Sequence, residues 1–268
     1  GTSNYHAGYI QAEHRFANGF GLLANYTFSK MLNDVGSYDG GFGMPYPQAG
    51  LPVSNTYGIA TTDITHKLLF NYSIDLPFGR NRKFLNSSDH FGEKLLDQIV
   101  GGWTMAGTTT IRSGVPITVR TPSNTVGGLG SNWYNIGHGR DSQPMYVQGV
   151  DLDNRVGAKT ALEGSAGYTP YMNANAIRVV EGFEIGDTPS TQPNFRGPGF
   201  SQWDLSLLKT FRMPWEGKTI QLRMEAQNIF NKMNPGNPGN AILSRTIGMI
   251  TSQQGSPRQI MVAAKFYF

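Results

Sequence analysis

The chain has 268 residues, enough for one large domain or two small ones. It contains 34 Gly, 15 Pro and 12% aromatic residues but only 15% charged residues, a composition that favours many strands joined by turns. The absence of Cys excludes disulfides, thiol catalysis and cysteine-ligated zinc, and the net charge of +4 arises without any block of like charge, which argues against a nucleic-acid partner.

Hydropathy gives no sign of a helical membrane span. No run of 18 apolar residues occurs, so no transmembrane helix is expected, and the first residues show no signal-peptide pattern. The mean hydropathy of −0.34 is that of many soluble proteins. Strands of a membrane barrel alternate apolar and polar residues, however, and also average to a modest hydropathy.

Four segments alternate apolar and polar residues with the period of two that strands require. They are residues 20–29, 67–76, 219–230 and 259–268. In the third segment, Ile220, Leu222 and Met224 share one face, whereas Arg223 and Glu225 lie on the other. Such segments are long enough to cross a bilayer when tilted.

Three further segments alternate less regularly. They are residues 5–16, 103–112 and 203–211. The first is expected to place Phe16 on its apolar face, although His14 falls on that face too. In the last, Lys209 falls among apolar residues, where a lysine near a strand end can extend to the interface. The sequence therefore predicts about seven strands.

The connections between these strands alternate in length. Asn18-Gly19 predicts a type I′ hairpin turn, and residues 213–218 form a second short connection. Long segments lie at about 32–65, 120–199 and 232–257, and residues 77–100 are intermediate. Short turns at one end and long loops at the other are typical of outer-membrane barrels, with the long loops outside the cell.

Two other architectures also fit an alternating pattern. One is a soluble β-sandwich that acts as a binding module, but a face carrying Arg223, Glu225 and Gln227 is too hydrophilic for a sandwich core. The other is a small closed barrel, which would need an eighth strand near residues 144–153. The pattern favours an all-β, antiparallel transmembrane barrel segment over both.

Six segments, taken in order, resemble the C-terminal part of TonB-dependent outer-membrane receptors. They are 4–30, 62–80, 100–119, 194–211, 222–231 (LRMEAQNIFN) and 256–268 (SPRQIMVAAKFYF). The similarity is strongest to the Oar-like branch common in acidobacteria, whose members carry an N-terminal carboxypeptidase-regulatory-like domain. The resemblance implies that residues 1–268 are the C-terminal part of a receptor barrel of 22 strands closed around a plug.

The resemblance also implies function, location and partners. It implies TonB-dependent uptake of a scarce nutrient (an oligosaccharide, a peptide or a metal chelate) across the bacterial outer membrane. The implied partners are outer-membrane lipid, a plug and further barrel strands outside this chain, the TonB complex through an N-terminal part, and the barrel assembly machinery. The alternative is a structural or adhesive surface protein whose barrel segment assembles with another chain.

Candidate site residues fall into three groups. Loop aromatics suited to stacking on a sugar or gripping a peptide are Trp133, Tyr134, Tyr146, Tyr168 and Tyr171, which could instead pack the loop against itself. Polar residues expected to face the barrel lumen and bind the plug are Arg112, Asp204, Arg223 and Glu225. By the resemblance, Phe266 and Phe268 on the last strand are the signal for barrel assembly.

No catalytic or cofactor motif is present. The sequence has no HExxH, GxSxG or Walker A pattern, and its five His lack metal-ligand spacing. Asp151 and Asp153, with Asn154, could help to hold a calcium ion, but a solvated turn is the simpler interpretation. We expect neither enzymatic activity nor a cofactor.

Overall fold

A computed structural model describes residues 2–34, 57–79, 83–84, 99–121, 144–155, 170–181, 186–189, 191–212 and 218–268. Its strands are β1 (Ser3–Ala17), β2 (Phe20–Asn33), β3 (Gly58–Ile59), β4 (His66–Asp75), β5 (Trp103–Arg112), β6 (Met145–Tyr146), β7 (Ile177–Arg178), β8 (Phe200–Arg212), β9 (Thr219–Gln227), β10 (Asn234–Pro235), β11 (Gln253–Gln254) and β12 (Gln259–Tyr267). A single 3₁₀ turn spans Ala174–Ala176 in the described residues. No described helix has the length and hydropathy to cross a membrane.

One antiparallel sheet contains all the long strands. Its order is β1-β2-β4-β5-β8-β9-β12, with the short β3 paired to the end of β2. Every long strand therefore pairs with the long strand next to it along the chain, as in an up-and-down barrel. Strands β1 and β12 are the two edges, and both are exposed along their whole length. The sheet is not closed within the described residues.

The prediction of an all-β, antiparallel fold with seven long strands is confirmed. Strand β5 has the predicted bounds, whereas β2 continues to Asn33 and β9 ends at Gln227. Strand β9 stops there because Asn228 adopts a positive φ of 49°, which breaks the extended backbone. The eighth strand of a small closed barrel does not form near 144–153, since β6 pairs with β7 outside the main sheet.

The hairpin between β1 and β2 has the predicted turn chemistry. Asn18 and Gly19 both have positive φ, 53° and 81°, as a type I′ turn requires. Its flanking residues Ala17 and Phe20 are paired. The prediction that Phe16 lies on the apolar face is wrong. The register shifts between His14 and Ala17, just before the turn, and this shift places Phe16 against Gly21 on the other face.

The register of the sheet joins the apolar residues of all seven strands into one surface. One row across the sheet contains Leu22, Tyr72, Gly107, Leu205, Ala226 and Ile260. The next row contains Phe20, Ile74, Met105, Leu207, Met224 and Val262. We call this surface the apolar face and the opposite surface, which carries Asn71, Thr108, Asp204 and Glu225, the polar face.

No described segment forms a second layer over the apolar face as a whole. Val262 is 72% exposed and Ile260 is 59% exposed, although both lie among aliphatic neighbours. A sandwich would bury these side chains beneath a second sheet. The described residues therefore contradict the sandwich alternative and leave a wide apolar surface in need of an apolar environment.

The buried core of the described chain lies beyond one end of the sheet. It consists of Ile117, Val119, Leu152, Met172, Ala176, Ile177 and Phe195, with Tyr171, Ile242 and Ile247 packed against it. These residues belong to the connections that follow β5 and β9. We call their described parts (113–121, 144–155, 170–181, 186–189, 191–199 and 228–258) the loop layer. We call this end of the sheet the loop end and the opposite end the turn end.

Backbone hydrogen bonds join the two connections of the loop layer. The N–H of Ile242 donates to the carbonyl of Arg120, and the N–H of Arg120 donates to the carbonyl of Asn240, both at 3.0 Å. The N–H of Tyr171 donates to the carbonyl of Gly248 at 2.8 Å. Parts of the long segments predicted as loops are thus organised into one packed unit.

The segment RGPG (196–199) continues the pairing between β8 and the chain that follows β5. Arg196 forms an antiparallel bridge with Pro116, and the N–H of Gly197 donates to the carbonyl of Val115. A Cβ on Gly114 would lie only 1.8 Å from the carbonyl oxygen of Gly197. Glycine is required here by close backbone approach and not by a left-handed conformation.

Candidate functional site

The polar face carries cross-strand pairs of hydrogen-bonding side chains. The hydroxyl of Thr108 donates to Asn71 Oδ1 at 2.9 Å, and the hydroxyl of Thr104 donates to Asp75 Oδ1 at 2.8 Å. Each pair consists of residues that are directly opposite on β4 and β5. A shift of the register by one residue would move these groups onto the apolar face, so the pairing of the strands fixes their position.

Two of the predicted lumen-facing carboxylates lie on the polar face of β8 and β9. Asp204 accepts hydrogen bonds from the Gln202 side chain at 2.9 and 3.1 Å and from the Asn228 N–H at 2.9 Å. Glu225 forms an ion pair with Arg223 on the same strand. Asp204, Arg223 and Glu225 thus all lie on the polar face, and their contact with a plug stays a prediction.

A shallow groove runs between these side chains. Its volume is about 310 Å³, and its polar lining includes Asn71, Thr108, Asp204, Ser206, Glu225 and Gln227. Hydroxyl, amide and carboxylate groups in this arrangement offer both donors and acceptors. The groove can therefore hold water or a polar protein surface.

Arg112 links the polar face to the loop layer. Its guanidinium donates to Gln254 Oε1 at 2.7 Å and lies 5.0 Å from the centre of the Phe200 ring. The Gln254 amide in turn donates to the carbonyl of Pro235 at 2.9 Å. Arg112 thus lies on the polar face, and the sequence analysis did not predict its contact with the loop layer.

Asn228 is a connecting residue that the sequence analysis did not select. It is 3% exposed, and its amide donates to the carbonyls of Lys232 and Ser256. Its Oδ1 accepts from the N–H of Lys232 at 2.9 Å. The signal was present in the NIFN segment, because Asn228 and Asn231 both take the left-handed conformation that Asn tolerates.

Aromatic side chains lie towards both ends of the apolar face. Near the turn end they are Phe20, Trp103, Phe211, Phe266 and Phe268; near the loop end they are Tyr26, Phe28, Trp203 and Phe230. The rows between them are mainly aliphatic, although they also contain the aromatic residues Phe70 and Tyr72. Two aromatic belts that flank an apolar band are typical of a barrel wall between two lipid–water interfaces.

A family model for the outer membrane beta barrel domain matches residues 1–261. The chain belongs to this family. No curated protein and no solved structure is significantly similar to it.

Family membership assigns an environment to each surface of this outer-membrane protein. It places the chain in the bacterial outer membrane. The apolar face is then the lipid-contacting wall, and the polar face lines the interior. By the same rule, the turn end faces the periplasm and the loop layer faces the cell exterior.

Lys209 lies on the lipid-contacting wall near the periplasmic end of β8. It is 2% exposed, and its ammonium group donates to the carbonyls of Ile99 and Gly101. The rings of Trp103 and Phe211 lie 5.4 and 5.1 Å from it. The segment before β5 thus surrounds this charge, which explains how a lysine is tolerated among apolar residues.

Phe266 and Phe268 lie at the turn end of the sheet, which is the periplasmic end in a barrel of this family. Their rings stack at 6.1 Å, and Phe268 is 95% exposed. Phe266 belongs to the exposed edge strand β12, and Phe268 directly follows the end of that strand. Their role as an assembly signal remains a prediction.

Two of the predicted ligand-binding aromatics lie in the loop layer. Tyr171 packs against Phe195 at 5.8 Å, and its hydroxyl donates to the Arg196 carbonyl at 3.0 Å. Tyr146 is 36% exposed, and its hydroxyl donates to Gln192 Oε1 at 2.5 Å. Trp133, Tyr134 and Tyr168 lie outside the described residues.

Burial raises the pKa of both tyrosines. For Tyr171, loss of hydration is the main cause, and the nearby Arg155 guanidinium partly opposes it. For Tyr146, loss of hydration is again the main cause, and the hydrogen bond to Gln192 partly opposes it. Of the two tyrosines, Tyr171 is the one whose side chain packs against the core of the loop layer.

An ion pair that the sequence did not predict joins the extracellular loop layer to the connection before β4. Arg196 donates to Asp63 Oδ2 at 2.5 Å and to the carbonyls of Asp63 and Gly114 at 3.2 Å. Asp63 is 1% exposed, and its other oxygen accepts from the N–H of Met31 at 2.6 Å. This cluster joins β2, the connection before β4 and the RGPG segment.

The segment considered for calcium has other partners. Arg155 donates to both carboxylate oxygens of Asp153 at 2.8 Å, which lowers the pKa of that carboxyl. The Asn154 amide donates to the carbonyl of Pro170 at 2.7 Å. Within the described residues, no group of three or more metal-binding side chains occurs. These contacts favour a structural turn.

Proposed function

We propose that the protein is the C-terminal barrel part of a TonB-dependent, Oar-like receptor that imports a scarce nutrient across the outer membrane. The observation that carries the proposal is the hydrogen-bonded polar face with its groove, directly opposite the lipid-contacting wall. In an importer of this type, a plug fills the lumen and is displaced by energy from the TonB complex. The resemblance of the six segments adds support.

The polar face is better suited to contact with the surface of a plug than to contact with water alone. Its side chains are held by neighbours, as in Thr108 to Asn71 and Gln202 to Asp204, so they present donors and acceptors in fixed positions. A preorganised polar surface binds a matching surface with less loss of side-chain freedom. Arg112, Asp204, Arg223 and Glu225 are the proposed plug contacts.

The open edges of the sheet require further strands. Backbone groups of β1 and β12 that remained unpaired within lipid would each cost several kcal/mol, and these strands do not pair with each other in the described structure. The proposed partners are additional barrel strands and a plug, in the same chain or another, with the TonB complex acting through an N-terminal part. The barrel assembly machinery would recognise the strand that carries Phe266 and Phe268.

Nutrient recognition is assigned to the extracellular side. Tyr146, with part of its ring accessible, and the aromatics Trp133, Tyr134 and Tyr168 are the proposed contacts; Tyr171 is a weaker candidate because it packs the loop core. The ligand class stays open among oligosaccharides, peptides and metal chelates. No chemical reaction and no cofactor form part of the proposal.

The test is uptake by cells that carry the native gene, compared with a deletion strain. Radiolabelled members of the three ligand classes are supplied at limiting concentration, with and without a protonophore. The proposal expects one class to accumulate only in the gene-bearing strain and only while the inner membrane is energised. Uptake that persists after de-energisation would contradict it.

A second measurement tests whether further strands complete the barrel. The intact mass of the protein purified from outer membranes should be about three times the 29.4 kDa of this chain if the seven strands belong to a barrel of about 22. A mass of 29.4 kDa in a monomeric particle would contradict the receptor proposal.

The alternative is a structural or adhesive surface protein. The observation that favours it is the loop layer, which packs on its own core and directs Tyr171 inward. This alternative predicts normal nutrient uptake in the deletion strain together with a loss of surface attachment or envelope integrity.

A further inference from the structure

We propose that the extracellular rim of the lipid-contacting wall carries a binding site for the phosphate group of an outer-leaflet lipid. The site consists of Lys232 and Arg258 beside the aromatic pair Trp203 and Phe230. It depends on the outer-membrane location and is independent of whether the protein imports a nutrient.

Lys232 is held at the outward side of the rim. Its backbone N–H donates to Asn228 Oδ1, and its ammonium group donates to the hydroxyl of Ser201 at 2.5 Å. Ser201 pairs with Ile111 and so lies on the apolar face. The lysine side chain is exposed, and no carboxylate lies within ion-pair distance of it in the described structure.

Arg258 lies on the same side, immediately before β12. Its backbone N–H donates to Asn231 Oδ1 at 3.0 Å, and one guanidinium N–H donates to the carbonyl of Ile229 at 3.4 Å. The side chain is exposed, and Ile229 is its only acceptor among the described residues. The remaining guanidinium donors can bind a phosphate in the bidentate geometry that arginine favours.

The aromatic pair provides the apolar part of the site. The rings of Trp203 and Phe230 meet edge to face at 5.7 Å, and Phe230 is 69% exposed. The N–H of Ile229 donates to the Trp203 carbonyl at 2.9 Å, which fixes the segment with Phe230 against β8. Aromatic rings at this depth contact the first carbons of an acyl chain, while nearby cations reach the headgroup.

The charge of this wall matches an anionic lipid. The seven long strands place no Asp or Glu on the apolar face; their ionised residues there are Lys30 and Lys209. Lys209, at the periplasmic end, is already surrounded by backbone carbonyls and rings. Lys232 and Arg258, at the outer end, are instead open to the headgroup region, where phosphate is the available counter-charge.

The test uses the native protein purified in a non-ionic detergent and titrated with bisphosphorylated lipid A. The matched probe is the same lipid after enzymatic removal of both phosphates. Variants are Lys232→Gln, Arg258→Gln and the double variant, and the control is Lys265→Gln, which removes a cation from the polar face of β12. Binding is measured by native mass spectrometry, and folding is checked by heat-modifiable gel migration.

With a contribution of about 1 kcal/mol per cation, each single variant should bind about 5-fold more weakly and the double variant about 30-fold more weakly. The control should bind as the native protein does, and dephosphorylated lipid should bind to native and double-variant protein equally. Unchanged lipid A affinity in a folded double variant, or equal binding of the two lipids to native protein, would overturn the proposal. If the double variant fails to fold, the single variants and the comparison of the two lipids still test the proposal.

Discussion

Arg196 and Asp63 form an ion pair of 2.5 Å that joins two extracellular connections separated by 133 positions in the chain. Asp63 is almost completely buried, whereas Arg196 retains some exposure. The same guanidinium also donates to the carbonyl of Gly114, where the backbones of two segments nearly touch. This cluster therefore fixes the base of the loop layer above the sheet.

Breaking this ion pair should destabilise the loop layer strongly. In Asp63→Asn, the Arg196 charge loses its partner, and loss of one member of a buried pair costs about 3–5 kcal/mol. The control is Asp153→Asn, whose partner Arg155 is more exposed, so its cost should be below about 1 kcal/mol. Urea unfolding with limited proteolysis of the loops measures both; equal costs would show that the Arg196–Asp63 pair is not a structural anchor.

Thr109 offers a contrasting case on the lipid-contacting wall. Its side chain is fully buried between Phe70 and Trp203, and its hydroxyl has no hydrogen-bond partner in the described structure. Thr109→Val keeps the shape and removes the unpartnered group, so we expect it to stabilise the fold by about 1 kcal/mol. Thr108→Val, which breaks the hydrogen bond to Asn71, should destabilise it by about the same amount. Denaturant midpoints of the two variants that shift in the same direction would contradict this assignment.

Gly114 should not tolerate any side chain. A Cβ there would lie 1.8 Å from the carbonyl oxygen of Gly197, a backbone atom that cannot move away without separating the paired segments. Gly114→Ala should therefore cost more than about 2 kcal/mol. Gly58→Ala is the control, because its added Cβ meets nothing within 4 Å. Similar thermal stability of the two variants would indicate that residues 114 and 197 are not in contact.

The partly buried Tyr171 should make the loop layer sensitive to alkaline pH. Because its pKa is raised above the usual value of about 10, the folded state binds more protons than the unfolded state above that pH. Stability is then fully present below pH 10 and declines as pH rises through the folded pKa. In Tyr171→Phe this decline should be smaller, although stability at pH 8 falls by about 1 kcal/mol with the hydrogen bond to Arg196. Unfolding midpoints compared at pH 8 and pH 11 measure it, and identical declines would contradict the prediction.

The local sequence pattern was sufficient to predict the strands of the sheet. Leu222 and Arg223 alternate because successive side chains point to opposite faces, and Asn18-Gly19 specifies its own turn. The displacement of Phe16 was not predictable in this way, because a bulge adds one residue without changing composition.

The loop layer could not be predicted from pattern. Met172 and Ile117 meet in one core, yet their neighbouring residues show no regular period. Arg196 and Asp63 pair only because the sheet brings two distant connections to the same end. Asn228 lay within a recognised segment, but its role depends on Asp204, Lys232 and Ser256, which pattern alone does not bring together.

The central claim is that one face of the sheet contacts outer-membrane lipid and the other lines the interior. Since the chain has no native Cys, single cysteines can be placed along β9 at Ile220, Leu222 and Met224 on one face and at Gln221, Arg223 and Glu225 on the other. In intact outer membranes, a nitroxide-labelled lipid should quench a fluorophore on the first set only, with a period of two along the strand. Quenching without alternation, or quenching of the second set alone, would contradict the account.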